Sequence, residues 1–322
     1  MNDWLVNIAP APQAPLRVVV FPHAGGQPSF YARALGTPYR PKADVWAVQP
    51  PGRGSRTREQ PISDLTRLTR MTARTLAATQ DDRPTAFFGH SSGGIYAFET
   101  ARALARAGRP PRRLGISAIP APDHPYWEDT LPALLANPDE AYRRLGAGAI
   151  PGELDHDQQA MTAFIRLIRA DARLYQALGR RPPTAMEQPV STFAATADLI
   201  APPTEMLGWH NWTSATCTAH HYEGDHFYIA KQLRTVIEDL ANDIDTCPPW
   251  GAGEPGSWEV TPASQGRHGA VEKPNLRPGV DQRQVRATST DTCPPLPSSV
   301  VGGSGRPPRA NSAMPGSTRW CN

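Results

Sequence analysis

The sequence predicts an α/β protein built on a mostly parallel, doubly wound sheet. Three observations carry that reading. Short apolar runs rich in β-branched residues recur along the chain. Amphipathic helical stretches separate most of them, the alternation expected of βαβ units. One run passes straight into a Gly-x-Ser-x-Gly sequence that opens a helix.

The predicted strands are 16–21 (LRVVVF), 44–49 (DVWAVQ), 85–89 (TAFFG), 113–119 (RLGISAI) and 190–195 (VSTFAA), with 217–222 (CTAHHY) a weaker sixth. Helical patterns cover 65–78, 95–107 and 227–244, and Asp225 is placed to cap the last. An insert at about 120–185 separates two of the strands. It holds helical patterns at 130–145 and 157–178, and prolines at 120–125 and 182–183 bound it. Excursions of that length tend to be functional, so a helical lid over a pocket is expected.

Residues 246–322 differ in kind. They hold 12 Pro and 10 Gly in 77 residues, with few apolar side chains and no period. Such a composition cannot bury enough surface to offset ordering entropy. The expected organisation is therefore one domain at 1–245 and a disordered tail at 246–322. An interaction tail and an extension without function both fit that composition.

Charge excludes several function classes. The net charge is +3 over 322 residues, and the tail holds 8 Lys+Arg against 5 Asp+Glu, so residues 1–245 carry 25 of each. A neutral body predicts no nucleic-acid partner and no anionic membrane partner. The cysteines at 217, 247, 293 and 321 form no Cys-x-x-Cys pair, which argues against zinc and dithiol redox chemistry. The start, Met1-Asn2-Asp3-Trp4, has neither a basic region nor a long apolar run, so no secretory leader is expected. The expected location is the cytoplasm.

The chemistry concentrates at Gly89-His90-Ser91-Ser92-Gly93. A strand that reverses into a helix at a serine presents the hydroxyl on a strained turn, and flanking glycines let strand and helix approach. Ser91 is the expected nucleophile. Ser92 has the wrong offset for that role, but its backbone amide opens the helix and is placed to stabilise an oxyanion. A second donor is expected after the first strand, where Phe21-Pro22-His23-Ala24-Gly25-Gly26 makes a Gly-rich turn; the amide of Ala24 fits. That turn lacks the signature of a phosphate-binding loop. His23 is expected to orient it.

A serine of this type needs a base and an orienting acid, in chain order Ser, Asp/Glu, His. His220, His221 and His226 are the candidates near the last strand. The first two fall inside it, where one of the pair points into the core. His226 follows in a loop with Gly224 and is expected to be the base. Asp198, just after the strand at 190–195, is the expected acid; Asp171 and Glu205 are alternatives. His220, His221, Asp225 and His226 lack a His-Glu-x-x-His spacing, and no metal or other cofactor is expected.

With these residues in place, the chain resembles the type II thioesterases of nonribosomal peptide and polyketide synthases, on the α/β-hydrolase fold. The resemblance rests on Phe21 to Gly26 with Ser29-Phe30-Tyr31, and on Gln49-Pro50-Pro51-Gly52-Arg53-Gly54. It continues through Phe88 to Gly93, Arg169-Ala170-Asp171, Asp198 and Gly224-Asp225-His226-Phe227, and spans about residues 4–244. Ser92, Pro50 and Asp225 stand where the family more often has methionine, leucine and glycine. The resemblance implies hydrolysis of acyl groups from the phosphopantetheine arm of an acyl or peptidyl carrier protein; a monomer is expected. It also implies that the insert is the lid and carries Asp171. A carboxylic-ester hydrolase or acyltransferase on the same residues, and an inactive carrier-protein binder, are the competing expectations.

Overall fold

The structure is a computed structural model. It describes residues 3–36, 42–79, 81, 83–137, 181–245 and 258–260, and within the insert 144, 162, 166–168, 170–171 and 174–175.

Eight strands make one sheet: β1 (Leu5–Ala9), β2 (Leu16–Phe21), β3 (Ala43–Val48), β4 (Thr85–His90), β5 (Arg113–Ser117), β6 (Val190–Ala195), β7 (Cys217–Tyr222) and β8 (Trp258–Val260). Their order is β1-β3-β2-β4-β5-β6-β7-β8. Only the β1–β3 pair is antiparallel. Six of the eight follow the apolar runs closely.

Alternation along each strand sends side chains to two cores. Val19, Phe21, Phe87, Leu114, Ile116, Val190 and Ala194 face one cluster. Helices α2 (Leu65–Thr79) and α3 (Ser92–Arg106) cover it, through Leu68, Leu76, Ile95 and Phe98. Val18, Val20, Phe88, Phe193 and Ala195 face the other. There α1 (Pro28–Leu35) and α6 (Ile229–Asp245) supply Tyr31, Leu35, Leu233, Val236 and Leu240. The sheet is thus doubly wound, as the sequence predicts.

Between β5 and β6 the chain makes α4 (Thr130–Ala136), and residues 166–168, 170–171 and 174–175 are helical. Asn137 ends α4, short of the expected 145, residues 144 and 162 are helical, and the other residues of the two helices expected at 130–145 and 157–178 lie outside the described residues. After β6 comes the short α5 (Pro203–Met206). Three tryptophans bond to the chain just before and at the start of the insert, at 119–123. Trp127 Nε1 donates to Ala121 O at 2.8 Å, Trp209 Nε1 to Ile119 O at 2.8 Å, and Trp212 Nε1 to Asp123 Oδ1 at 2.8 Å.

Two elements escaped the sequence pattern for a physical reason. β1 is an edge strand of intermediate burial throughout, so it shows no alternation. Helix α1 has only eight residues. Its signals were present: Pro28 in the first turn, and Gly36 at φ 68° just past the end. β8 lies within the segment read as tail and pairs in parallel with β7. Residues 246–257 and 261–322 lie outside the described residues. Among the described residues no helix is long and apolar enough to cross a membrane.

Candidate active site

The C-terminal ends of β2, β4, β6 and β7 converge on Ser91. This residue has φ 53° and ψ −133°, a left-handed conformation held by a non-glycine. Such a backbone costs on the order of 1–3 kcal/mol and persists only where the surroundings over-determine it. Here they do. The Ser91 N–H donates to Ser117 O at 2.7 Å, and the Gly94 N–H donates to Ser91 O at 2.8 Å. A Cβ on Gly93 would lie 2.3 Å from the Phe21 carbonyl oxygen, and one on Gly89 2.1 Å from the Gly93 oxygen. Both contacts are backbone, so the motif's glycines are required by close approach.

The half-buried Ser91 hydroxyl lies 3.0 Å from His226 Nε2. Nδ1 of the same ring lies 2.9 Å from Asp198 Oδ2. His226 is fully buried and Asp198 nearly so. Two backbone bonds stitch the acid and histidine loops together: Thr196 N–H to Tyr222 O, and Ala197 N–H to Gly224 O, each at 2.9 Å. Asp198 Oδ1 accepts from Ile200 N–H at 2.7 Å and Ala201 N–H at 3.1 Å. Burial pushes the Asp198 carboxyl upward. The His226 imidazole and the two amides outweigh it, and the net shift is downward. An ionised Asp198 only accepts, so Nδ1 carries the imidazole proton and Nε2 is left to accept from the serine.

The turn after β2 is held from several sides. The His23 N–H donates to Tyr31 Oη at 2.9 Å, and His23 Nδ1 lies 2.7 Å from the same oxygen. The Gly25 N–H donates to Asp171 Oδ2 at 2.8 Å, and the Gly26 N–H to His23 O at 2.8 Å. Ala24 N–H is the amide of this turn without an acceptor among the described residues. Ser92 N–H, first in α3, has no acceptor within the helix.

The family described as Thioesterase domain matches residues 16–244. This chain belongs to it. The thioesterase PikA5 of Streptomyces venezuelae is 29% identical over 252 residues, covering 75% of this chain and 85% of its own length. Two solved structures agree. The type II thioesterase BorB from the borrelidin biosynthetic cluster is 29% identical with a TM-score of 0.61, covering 76% of this chain and 98% of its own. The RedJ thioesterase from the prodiginine pathway of Streptomyces coelicolor is 32% identical with a TM-score of 0.59, covering 73% and 88%. The resemblance to type II thioesterases and the α/β-hydrolase fold are thereby borne out, and the protein is an enzyme of the serine-hydrolase thioesterase class.

The other candidates lie elsewhere in the thioesterase. His220 is buried and bonds to Asp243 Oδ2 at 2.8 Å, while His221 is exposed. Glu205 contacts His124. Asp225 does not cap α6; its Oδ1 accepts from Phe227 N–H at 3.0 Å in the turn before that helix. Asp171 bonds to Arg53 and to the Gly25 N–H, and the carboxylate on His226 is that of Asp198.

His90 was not singled out in the sequence. It is fully buried, its Nδ1 lies 2.8 Å from Ser117 Oγ, and its ring centroid lies 5.1 Å from that of His226. Burial, then the charge His226 would carry, holds His90 well below the usual imidazole range. Burial, His226 and Arg53 lower His23 to about 3. Both rings are neutral near pH 7, so neither competes with an imidazolium at His226. No local pattern announces these roles, because they arise from packing between separate loops.

Proposed function

We propose that this thioesterase hydrolyses acyl groups from the phosphopantetheine arm of carrier proteins, with Ser91 as nucleophile, His226 as general base and Asp198 as its orienting acid. The observation that carries the reading is one hydrogen-bonded line, Asp198 to His226 to Ser91, ending at a half-exposed hydroxyl on a strained elbow. His226 takes the Ser91 proton as Oγ attacks the thioester carbonyl. The tetrahedral oxyanion rests on the amides of Ala24 and Ser92. As the carbon–sulfur bond breaks, the imidazolium returns the proton to the departing thiolate. The neutral imidazole then deprotonates a water that attacks the acyl-serine, and Ser91 leaves with that proton as the free acid departs.

The thioester substrate is supported by the relatives. BorB is described as a type II thioesterase of a biosynthetic cluster, as is YbtT of the yersiniabactin NRPS/PKS pathway, 25% identical with a TM-score of 0.63. On this reading the enzyme clears stalled or mis-primed synthases, as a cytoplasmic monomer. Its partner is the carrier protein, with no nucleic acid or membrane involved. The catalytic domain is residues 1–245, with β8 of the following segment added to its sheet.

The test is hydrolysis of acetyl- and longer acyl-phosphopantetheinyl carrier protein by the wild type beside Ser91→Ala. Turnover by the wild type that the variant lacks is expected, together with fluorophosphonate labelling of Ser91 alone. Cleavage of oxygen esters with no thioester turnover would overturn the substrate assignment.

A further inference from the structure

Asp171 is a carboxylate in the wrong company. Leu167, Asp171, Leu174 and Tyr175 are all buried, at 4%, 3%, 3% and 5% exposure. Their spacing of four, three and one puts them on one side of a helical stretch. Leu174 and Tyr175 join the main apolar cluster, so this side packs onto the body. A charge in the middle of such a face is tolerated only when fully paired.

Its pairing is specific. Oδ1 accepts from Arg53 Nη2 at 2.7 Å, and Oδ2 accepts from the Gly25 N–H at 2.8 Å. Arg53 is itself buried, and its Nη1 donates to Gly26 O at 3.3 Å. The pair therefore grips the 23–26 turn at two consecutive residues, Gly25 through its N–H and Gly26 through its carbonyl, next to Ala24. Arg53 is held in turn by a tight bend: Gly54 has φ 56°, and a Cβ there would lie 2.0 Å from Gln49 Oε1. Purely structural ion pairs of this burial are often replaceable by apolar packing. One that spends both carboxylate oxygens on a guanidinium and on a backbone amide of the Gly-rich turn has a directional task.

We infer that Asp171 is a positioning residue: through the Gly25 amide and Arg53 its carboxylate aims the Ala24 N–H at the developing oxyanion. The inference rests on the serine mechanism proposed above. The effect belongs to the transition state, because a thioester carbonyl binds with little charge on oxygen and the tetrahedral adduct carries a full one. Loss of one oxyanion donor typically costs about 10²–10³ in rate, and misaiming one costs a part of that.

The experiment compares wild type, Ser91→Ala, Asp171→Asn and Leu174→Ala on an acyl-pantetheine thioester. It also measures inhibition by the matching acyl trifluoromethyl ketone. That ketone takes Ser91 Oγ onto its carbonyl carbon, the serine proton passes to His226, and the resulting alkoxide occupies the hole. Asp171→Asn keeps the shape but loses the charge and one acceptor geometry. It is expected to lower kcat about 10- to 10²-fold, leave KM within about twofold, and weaken the ketone by the same factor as kcat. Leu174→Ala loosens the same packed face without touching the turn. It should lower Tm and leave kcat and the ketone affinity within about threefold. Should Asp171→Asn not fold, Arg53→Lys keeps the buried charge neutralised, loses the two-pronged grip, and is expected to give the same paired loss.

Unchanged kcat in Asp171→Asn would overturn the inference, as would a kcat loss with full ketone affinity. An equal paired loss in Leu174→Ala would also overturn it, since the packing and not the carboxylate would then set the hole. In each of those cases Ser91-dependent turnover by the wild type persists and the mechanism stands. Absence of that turnover in the wild type would instead remove the mechanism and the inference together.

Discussion

Among the described residues two serine–histidine–aspartate clusters stand in contrast, and they are wired differently. In the first, the imidazole of His226 sits in the middle, between Asp198 and Ser91. In the second, the carboxylate sits in the middle: Ser191 Oγ and His220 Nε2 both bond to Asp243 Oδ2. An ionised carboxylate only accepts, so Ser191 is a donor there and its proton is committed to the acid. The His220 imidazole bonds to the carboxylate and not to the Ser191 oxygen, and the serine is fully buried on a regular strand. His220 stacks flat on Phe193, with centroids 4.9 Å apart and planes 9° apart, and Arg113 comes within 3.9 Å of Asp243. The second cluster pins β6, β7 and α6 together. The same three residue types leave the serine hydroxyl against an imidazole in one cluster and against a carboxylate in the other, and only the first includes a strained backbone.

The serines give the largest contrast. Ser91→Ala is expected to lower kcat on an acyl-pantetheine thioester by about 10⁴-fold or more, since little but binding and the oxyanion hole remains. Ser191→Ala should leave kcat per folded molecule within a few-fold and lower unfolding free energy by about 1–3 kcal/mol, the cost of withdrawing a donor from a buried charge. Thioester kinetics and urea titrations measure the two. A tenfold kcat loss in Ser191→Ala would break the distinction between the clusters.

The acids sharpen it further. Asp198→Asn removes the group that selects the His226 tautomer, and a kcat loss of about 10²–10⁴ is expected. Asp243→Asn leaves Arg113, Ser191 and His220 around a neutral amide, and a stability loss of about 3–5 kcal/mol with near-normal kcat is expected. Both carboxyls are shifted downward against their burial, Asp198 by His226 and two amides, Asp243 by His220, Ser191 and Arg113. A depressed acid contributes stability that is present above its unfolded value of 3.8 and lost as pH falls through its folded value. The wild type should therefore lose stability below about pH 4, and each variant should lose less there.

These contrasts also mark what the sequence disclosed. Gly89 to Gly93 marked the elbow at Ser91 because a sharp strand-to-helix turn needs glycines at fixed offsets, a local requirement written locally. Asp198 and His226 were legible because chain order on a parallel sheet fixes which strand ends meet. The strands between Leu16 and Tyr222 were legible because a buried parallel strand reads as an apolar run. What escaped was long-range or shallow. Arg53 and Asp171 are 118 residues apart, and no spacing rule links them. The second cluster spans Ser191, His220 and Asp243 on three elements, and two of these lay in stretches read only as strand and helix. Edge strand β1 and short α1 carry too few residues to show a period.

The smallest expected effect concerns how histidines are kept uncharged at the active end. His23 sits at about 3 against an ordinary 6.5, chiefly through burial. Between those values the unfolded chain binds a proton that the folded protein refuses, so stability must fall as pH drops from about 6.5 towards 3. One such group contributes a slope of about 1.4 kcal/mol per pH unit well inside the window. His23→Gln keeps an amide able to meet Tyr31 and has nothing to protonate. Urea titrations between about pH 6 and 4.5 should show a slope shallower by about one proton in the variant. His90, lowered by the same burial, keeps a residual slope in both proteins. An unchanged slope would mean that His23 accepts its proton in the folded state. The 23–26 turn would then tolerate a cation beside His226, and the neutrality of that end of the molecule would rest on His90 alone.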